Sequence, residues 1–183
     1  MTLAYQEYYT VDDYAQWEGN WELMEGMPYA MSPSPTVSHQ SVATKFTSAV
    51  NHAIDNKKPE LCSDCIVLME TDWQVSKDTV VRPDIMVVCN EVSEKVLVTP
   101  ILIMEVVSSS SVKRDEVMKF NLYQREGVAF YILAYPQDHL VKIYYNQQGK
   151  FIKQQDTASL KEFYFELNNC SFDINFTKIW RDA

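Results

Sequence analysis

Apolar residues follow two different rhythms along this chain. Val42, Phe46, Ala49, Val50, Ala53 and Ile54 recur every three or four positions, which predicts a long helix over 37–56 with one apolar face. Elsewhere apolar residues come in short runs, and 65–75, 80–88, 101–107, 129–134 and 140–145 read as strands, with weaker ones at 151–155 and 163–167. The unbroken runs predict strands buried on both faces. Segments 65–75 and 80–88 flank the polar turn Ser76-Lys77-Asp78 and predict a hairpin.

Between these elements the turn residues are informative. Thr10 and Asp13 stand in a capping-box arrangement at the start of a short helix that ends near Gly19-Asn20. Glu25-Gly26 fits the tip of a hairpin, and Pro28 fits an edge strand, because proline has no N–H to donate. Ser32-Pro33-Ser34-Pro35 predicts a rigid loop before the long helix, with Thr36 or Ser38 as its cap and Lys57-Lys58-Pro59 as its end. The serines 108–111 offer an N-cap to a second helix over 112–126, and Gly127 takes the C′ position. A last helical turn is expected over 176–181. The order predicts a mixed α/β domain spanning 1–183, with one central sheet and helices on its faces.

Composition narrows the class. A chain of 183 residues, 46% hydrophobic, can bury a core without disulfide staples. No run reaches the length of a membrane helix and no basic-then-apolar leader opens the chain, so the expected location is the cytoplasm. The net charge of −9 counts against a nucleic-acid partner, although carboxylates that bind metal would add to it. Cys62-Ser63-Asp64-Cys65 is a CxxC without a second ligand pair at comparable spacing, and His52 and His139 do not supply one. The four cysteines therefore read as ordinary reduced thiols that bind no zinc.

One residue breaks the apolar pattern. Glu105 lies inside Ile101-Leu102-Ile103-Met104-Glu105-Val106-Val107, where an unpaired carboxylate would cost several kcal/mol. Asp84 heads the neighbouring run Ile85-Met86-Val87-Val88, 105 − 84 = 21 positions earlier. Adjacent strands would bring the two acids to one end of the sheet. Lys119 follows on the next helix. Two carboxylates and a lysine suit a hard divalent cation beside a nucleophilic water.

These residues carry a resemblance. Trp21-Glu22-Leu23-Met24-Glu25-Gly26, Met31-Ser32-Pro33-Ser34-Pro35 with His39, Arg82-Pro83-Asp84, Met104-Glu105-Val106-Val107-Ser108, and Lys119, Tyr123 and Gly127-Val128 occur in the order that resembles the Uma2 family. That family groups restriction-type endonucleases within the PD-(D/E)XK superfamily. The resemblance implies a restriction-endonuclease-like core and Mg²⁺-dependent (or Mn²⁺-dependent) hydrolysis of DNA phosphodiesters. It implies Asp84 and Glu105 as catalytic acids and metal ligands. Val107 stands where the usual motif lysine would fall, and Lys119 resembles the family's substitute from the next helix. The chain departs from the pattern in lacking a proline among Ser108–Ser111, and in having Tyr131-Ile132 and Tyr135-Pro136 where tyrosine-tryptophan and aspartate-proline are expected.

Each candidate has a plainer reading. Asp115 and Lys119 could be an ordinary i,i+4 surface pair worth about 0.3–0.5 kcal/mol. Tyr123, a turn further on, reads as packing. Glu22 is a possible third acid or an exposed strand residue, His39 a site residue or a helix cap, and Arg82 a phosphate contact or a strand-edge ion pair. Two other functions compete with the endonuclease: a catalytically inactive nuclease-fold binding or regulatory protein, and an oligomeric scaffold drawing on the 13% aromatic content. Cutting both strands would call for a homodimer.

Overall fold

The computed structural model describes residues 7–31, 34–55, 62, 64–89, 93–166 and 170–180. A short helix α1 (Val11–Tyr14) leads into the hairpin β1 (Trp21–Met24) and β2 (Met27–Ala30), then the long helix α2 (Val37–Asp55). The strands β3 (Cys65–Met69), β4 (Trp73–Ser76), β5 (Thr79–Val81), β6 (Ile85–Cys89) and β7 (Leu102–Val106) follow. A π-helical turn (Arg114–Lys119) runs directly into α3 (Phe120–Arg125). The chain continues with β8 (Phe130–Tyr135), β9 (Leu140–Gln147), β10 (Lys150–Thr157), β11 (Glu162–Phe165), β12 (Phe172–Asn175) and a 3₁₀ turn (Phe176–Lys178). The expected helix end at Lys57-Lys58-Pro59 and the Ser32-Pro33 part of the loop lie outside the described residues.

The mixed α/β class holds, but the strands form three sheets where one was expected. The large sheet has the order β10-β9-β8-β7-β6-β3, the small sheet β2-β1-β5-β4, and β11 pairs with β12. In the large sheet β7 and β8 are parallel and every other pairing is antiparallel, so the sheet is mixed. A parallel pair needs a crossover, and the π turn with α3 supplies it.

Side chains on alternate positions of the large sheet feed two cores. Ile85, Val87, Leu102, Met104, Val106 and Ile132 join Val42, Phe46, Val50 and Ile54 of α2 on one face. Met86, Val88, Ile103, Tyr131 and Leu133 join Leu122, Tyr123, Trp73 and Met24 on the other. The strands are therefore buried on both faces, as their unbroken apolar runs predicted. Phe46 is fully buried, and trimming it to alanine would cost about 3–5 kcal/mol. The largest fully buried side chains include Trp73, Tyr123, Tyr131, Phe46, Phe165, Phe172 and Phe176. Much of the aromatic content is thus spent on the core, which removes the support for a scaffold interface.

Most local signals at the N-terminus are met, although α1 ends at Tyr14 rather than near Gly19-Asn20. Thr10 N–H donates to Asp13 Oδ2 at 2.8 Å, closing the capping box. Glu25 and Gly26 both take positive φ (52° and 77°) at the hairpin tip, and a Cβ on Gly26 would collide with the Tyr8 ring. Pro28 lies in β2, an edge strand. Thr36 Oγ1 accepts the His39 N–H at 3.2 Å and caps α2. Among the described residues no helix is long and apolar enough to cross a membrane.

The cysteines depart from expectation. They are paired as Cys62–Cys170 and Cys65–Cys89 rather than free. Cys65 and Cys89 face each other in the β3–β6 register, and the C-terminal hairpin returns Cys170 to the start of β3. Partners 24 and 108 positions apart leave no local pattern in a sequence.

Candidate active site

The site lies where one long hairpin passes from one sheet to the other. The run 65–75 is split into β3 and β4, and the run 80–88 into β5 and β6. β3 and β6 pair in the large sheet, whereas β4 and β5 pair in the small one. The break on one strand is Glu70 (φ 45°), Thr71 and Asp72; on the other it is Arg82, Pro83 and Asp84. Pro83 has no N–H to continue a ladder, so the strand changes partners there. Glu70 N–H donates to Asp84 O at 3.1 Å and holds the bend. Arg82 Nε donates to Asp72 Oδ1 at 2.7 Å and its Nη1 to Asn20 Oδ1 at 3.1 Å, so its guanidinium takes the ion-pair role.

Asp84 and Glu105 meet at this seam. β6 and β7 are antiparallel with Ile85 opposite Met104, which brings Asp84 to the level of Glu105 just beyond the end of β6. Val106 N–H donates to Asp84 Oδ2 at 2.7 Å, and Asp84 N–H donates to Glu105 Oε2 at 3.3 Å. The adjacency expected of these strands is observed. His39, from the first turn of α2, brings Nε2 to 3.4 Å from Asp84 Oδ1.

Lys119 closes the arrangement from the crossover. Its Nζ lies 2.8 Å from Glu22 Oε1 on β1, 3.0 Å from Glu105 Oε1 on β7 and 3.3 Å from Arg82 O. Lys119 is 3% exposed and Glu22 0%, so the surface i,i+4 reading does not apply. Asp115 and Lys119 both lie on the buried face of the π turn, while Val117 within it and Val112 before it face solvent.

Sequence reasoning missed three contributors. Tyr123 donates its hydroxyl to Glu105 Oε1 at 2.9 Å, besides packing against Trp73 and Tyr131. Asp115 is buried beside Lys119, and its charge is felt by Lys119, Glu105 and His39. Arg114 brings Nη1 to 3.7 Å from Glu22 Oε2. The Asp115–Lys119 spacing and the place of Tyr123 in the family motif are the only hints of this in the sequence.

The electrostatics follow from crowding. Burial pushes the Glu105 carboxyl well above the usual range, opposed by Lys119 and reinforced by Asp84, Asp115 and Glu22. Burial also raises Asp84, but the hydrogen bond and charge of His39, the Lys119 charge and the Val106 N–H outweigh it, leaving Asp84 below the usual range. Burial pushes Asp115 up to about 6 against the pull of Lys119 and Ser111. Desolvation works to lower Lys119, yet the surrounding acids prevail and keep its ammonium protonated. His39 shows the same contest: burial lowers it, and Asp84 raises it further.

The donor set suits a hard divalent cation. Glu22, Asp84, Glu105 and Asp115 together outweigh Lys119 and Arg114 by two formal charges when His39 is neutral. Glu22 Oε2 is buried without a hydrogen-bond partner, an oxygen lone pair left open in the site. Mg²⁺ takes one or two carboxylates and retains waters.

Comparison with known proteins agrees with this architecture. No curated protein matches the chain. A crystal structure of a putative nuclease belonging to DUF820 from Anabaena variabilis superposes with a TM-score of 0.73, covering 94% of this chain and 97% of that one. At 15% identity this likeness shows the fold alone. A family model described as "Putative restriction endonuclease" matches residues 8–168, nearly the whole chain and all of the site above, and the chain accordingly belongs to the Uma2 family.

Proposed function

We propose that this chain is a metal-dependent DNA endonuclease that hydrolyses phosphodiester bonds, with Asp84 and Glu105 as ligands to Mg²⁺ or Mn²⁺ and Lys119 as the cationic partner of the reacting phosphate. The observation that carries this reading is the meeting of Asp84, Glu105 and Lys119 at one buried seam, together with membership of the family. A bound divalent ion supplies positive charge to the phosphate and acidifies a coordinated water. The chain's own groups do the rest. Lys119 stays protonated, so it acts as a charged donor and not as a base. Its ammonium has three hydrogens, and Glu22, Glu105 and Arg82 O engage all three. The longest contact, to Arg82 O, is the one a phosphate oxygen would displace. Tyr123 would then keep Glu105 oriented. His39 holds the other metal-binding acid, Asp84, through the opposite oxygen from the Val106 amide. Cutting both strands would be done by a homodimer, in the cytoplasm.

A second reading is favoured by one specific observation. Lys119 is nearly inaccessible and fully engaged, as it would be in a nuclease fold retained for binding or regulation alone. Cleavage of supercoiled DNA in Mg²⁺ or Mn²⁺, alongside calorimetric metal titration, separates the two. The endonuclease requires cleavage by the wild type, loss of metal binding and cleavage in Asp84→Asn and Glu105→Gln, and loss of cleavage with metal binding retained in Lys119→Ala. A folded wild type that binds neither ion and leaves DNA intact would establish the non-catalytic reading.

A further inference from the structure

The second cluster of chemistry-bearing side chains lies at the opposite end of β6. Cys89 closes that strand and Asp84 precedes its start, five residues away, so the two clusters are about 16 Å apart along the strand. The Sγ atoms of Cys65, Cys89 and Cys170 all lie within 4.8 Å of one another. Cys62 Sγ is bonded to that of Cys170. All four cysteines of the chain therefore gather in one region, although they arrive from three stretches of sequence, Cys62-Ser63-Asp64-Cys65, Cys89 and Cys170. A disulfide needs only a pair, and two independent disulfides have no reason to share a site. A tetrahedral metal needs a quartet: with Zn–S bonds of about 2.3 Å, the sulfurs of a Cys₄ site stand about 3.8 Å apart. The objection raised by the sequence, that Cys62-Ser63-Asp64-Cys65 has no second ligand pair, no longer applies. The fold supplies Cys89 across the β3–β6 ladder and Cys170 from beside the β11–β12 hairpin. Cys62 and Cys170 are buried and Cys65 and Cys89 partly so, which gives an ion a shielded site with an open side for entry.

We propose that Cys62, Cys65, Cys89 and Cys170 form a structural Zn²⁺ site in the reduced protein, and that the two disulfides are its oxidised, metal-free form. The exchange balances with a dithiol as reductant. Two dithiol molecules deliver four electrons and four protons to the two disulfides and become disulfides themselves. The four protein thiols then lose four protons as the thiolates bind one Zn²⁺. The ion would fasten the edge strand β3 to the C-terminal segment. This proposal does not depend on the nuclease reading.

The test uses the full chain purified in the presence of a dithiol and Zn²⁺. One zinc per chain by elemental analysis is expected, with Co²⁺ giving the absorption of a tetrahedral thiolate site. Oxidation should release the zinc and lower the intact mass of the apoprotein by four hydrogens. Cys89→Ser and Cys170→Ser should lose zinc. Because either variant could misfold, the deciding measurement is on the wild type: adding Zn²⁺ to the reduced, metal-free chain should raise its melting midpoint. A folded, reduced chain with four titratable thiols that takes up neither Zn²⁺ nor Co²⁺ would overturn the proposal. So would disulfides that withstand the dithiol in the folded chain.

Discussion

Glu22 and Lys119, 119 − 22 = 97 positions apart, form the shortest contact the lysine makes: Nζ stands 2.8 Å from Glu22 Oε1, against 3.0 Å for Glu105 Oε1. The lysine thus joins an acid of the small sheet to an acid of the large one. Removing the cation would leave several buried carboxylates facing each other.

Lys119→Met should therefore destabilise the fold by about 3–5 kcal/mol at neutral pH, the usual result of breaking a buried ion pair from one side. The penalty should shrink on acidification, because burial raises the Glu105 pKa and its carboxylate is neutralised at a higher pH than an exposed one. Urea denaturation of wild type and variant at pH 5 and pH 7.5 checks both statements. An equal loss at the two pH values would contradict the second.

Asp115 sets a pH dependence of its own. Its folded-state pKa of about 6 exceeds the 3.8 of an unperturbed aspartate, so between these values the native state binds more protons than the unfolded one. Its contribution is complete below about pH 4 and is lost as pH rises through 6, a loss of roughly 3 kcal/mol for a group this buried. Asp115→Asn should then be close to neutral at pH 4 and stabilising at pH 7.5. Denaturation midpoints of the two proteins across that range give the measurement; a variant less stable than wild type at pH 7.5 would refute it.

Tyr123→Phe removes only the hydroxyl that donates to Glu105 Oε1, leaving the buried ring in place. A hydrogen bond to a charged or partly charged acceptor is worth about 1.5–3 kcal/mol. We expect a stability loss of that size by chemical denaturation. An unchanged midpoint would mean that the ring alone matters.

Divalent cations should stabilise the chain in a pH-dependent way if the acidic seam is their site. More of the Glu105 and Asp115 carboxyls are ionised at high pH, so the shift in melting temperature on adding Mg²⁺ should be larger at pH 8 than at pH 5.5. The opposite order, or a shift that survives in the Asp84→Asn and Glu105→Gln variants, would place the ion elsewhere.

The parts of the fold that rest on local rules could be read directly. The capping box at Thr10, the turn at Glu25-Gly26 and the apolar face of α2 depend on neighbours within a few positions. Glu105 stood out because a carboxylate in an unbroken apolar strand demands an explanation. The runs 65–75 and 80–88 are each interrupted by a polar triplet, Glu70-Thr71-Asp72 and Arg82-Pro83-Asp84, but only the tertiary pairing assigns the flanking halves to two different sheets. Lys119 is legible as a site residue through its place in the family motif, whereas its i,i+4 spacing from Asp115 alone fits a surface pair equally well; only the tertiary packing against Glu22 and Glu105 separates the two. Tyr123 looked like packing because its partner is 18 positions back on another element. The pairing of the cysteines escaped notice for the same reason.

The parallel pairing of β7 with β8 also bears on how the protein reaches its native state. Leu102 pairs with Phe130, 130 − 102 = 28 positions on, and the chain between them carries Lys119. Glu105 and Lys119 cannot meet until that crossover has closed, whereas the β1–β2 and β9–β10 hairpins involve far shorter loops. In refolding, the rate-limiting long-range step and the assembly of the seam should be one event. Recovery of divalent-ion binding would then lag behind the first gain of strand signal, rising with the slowest phase.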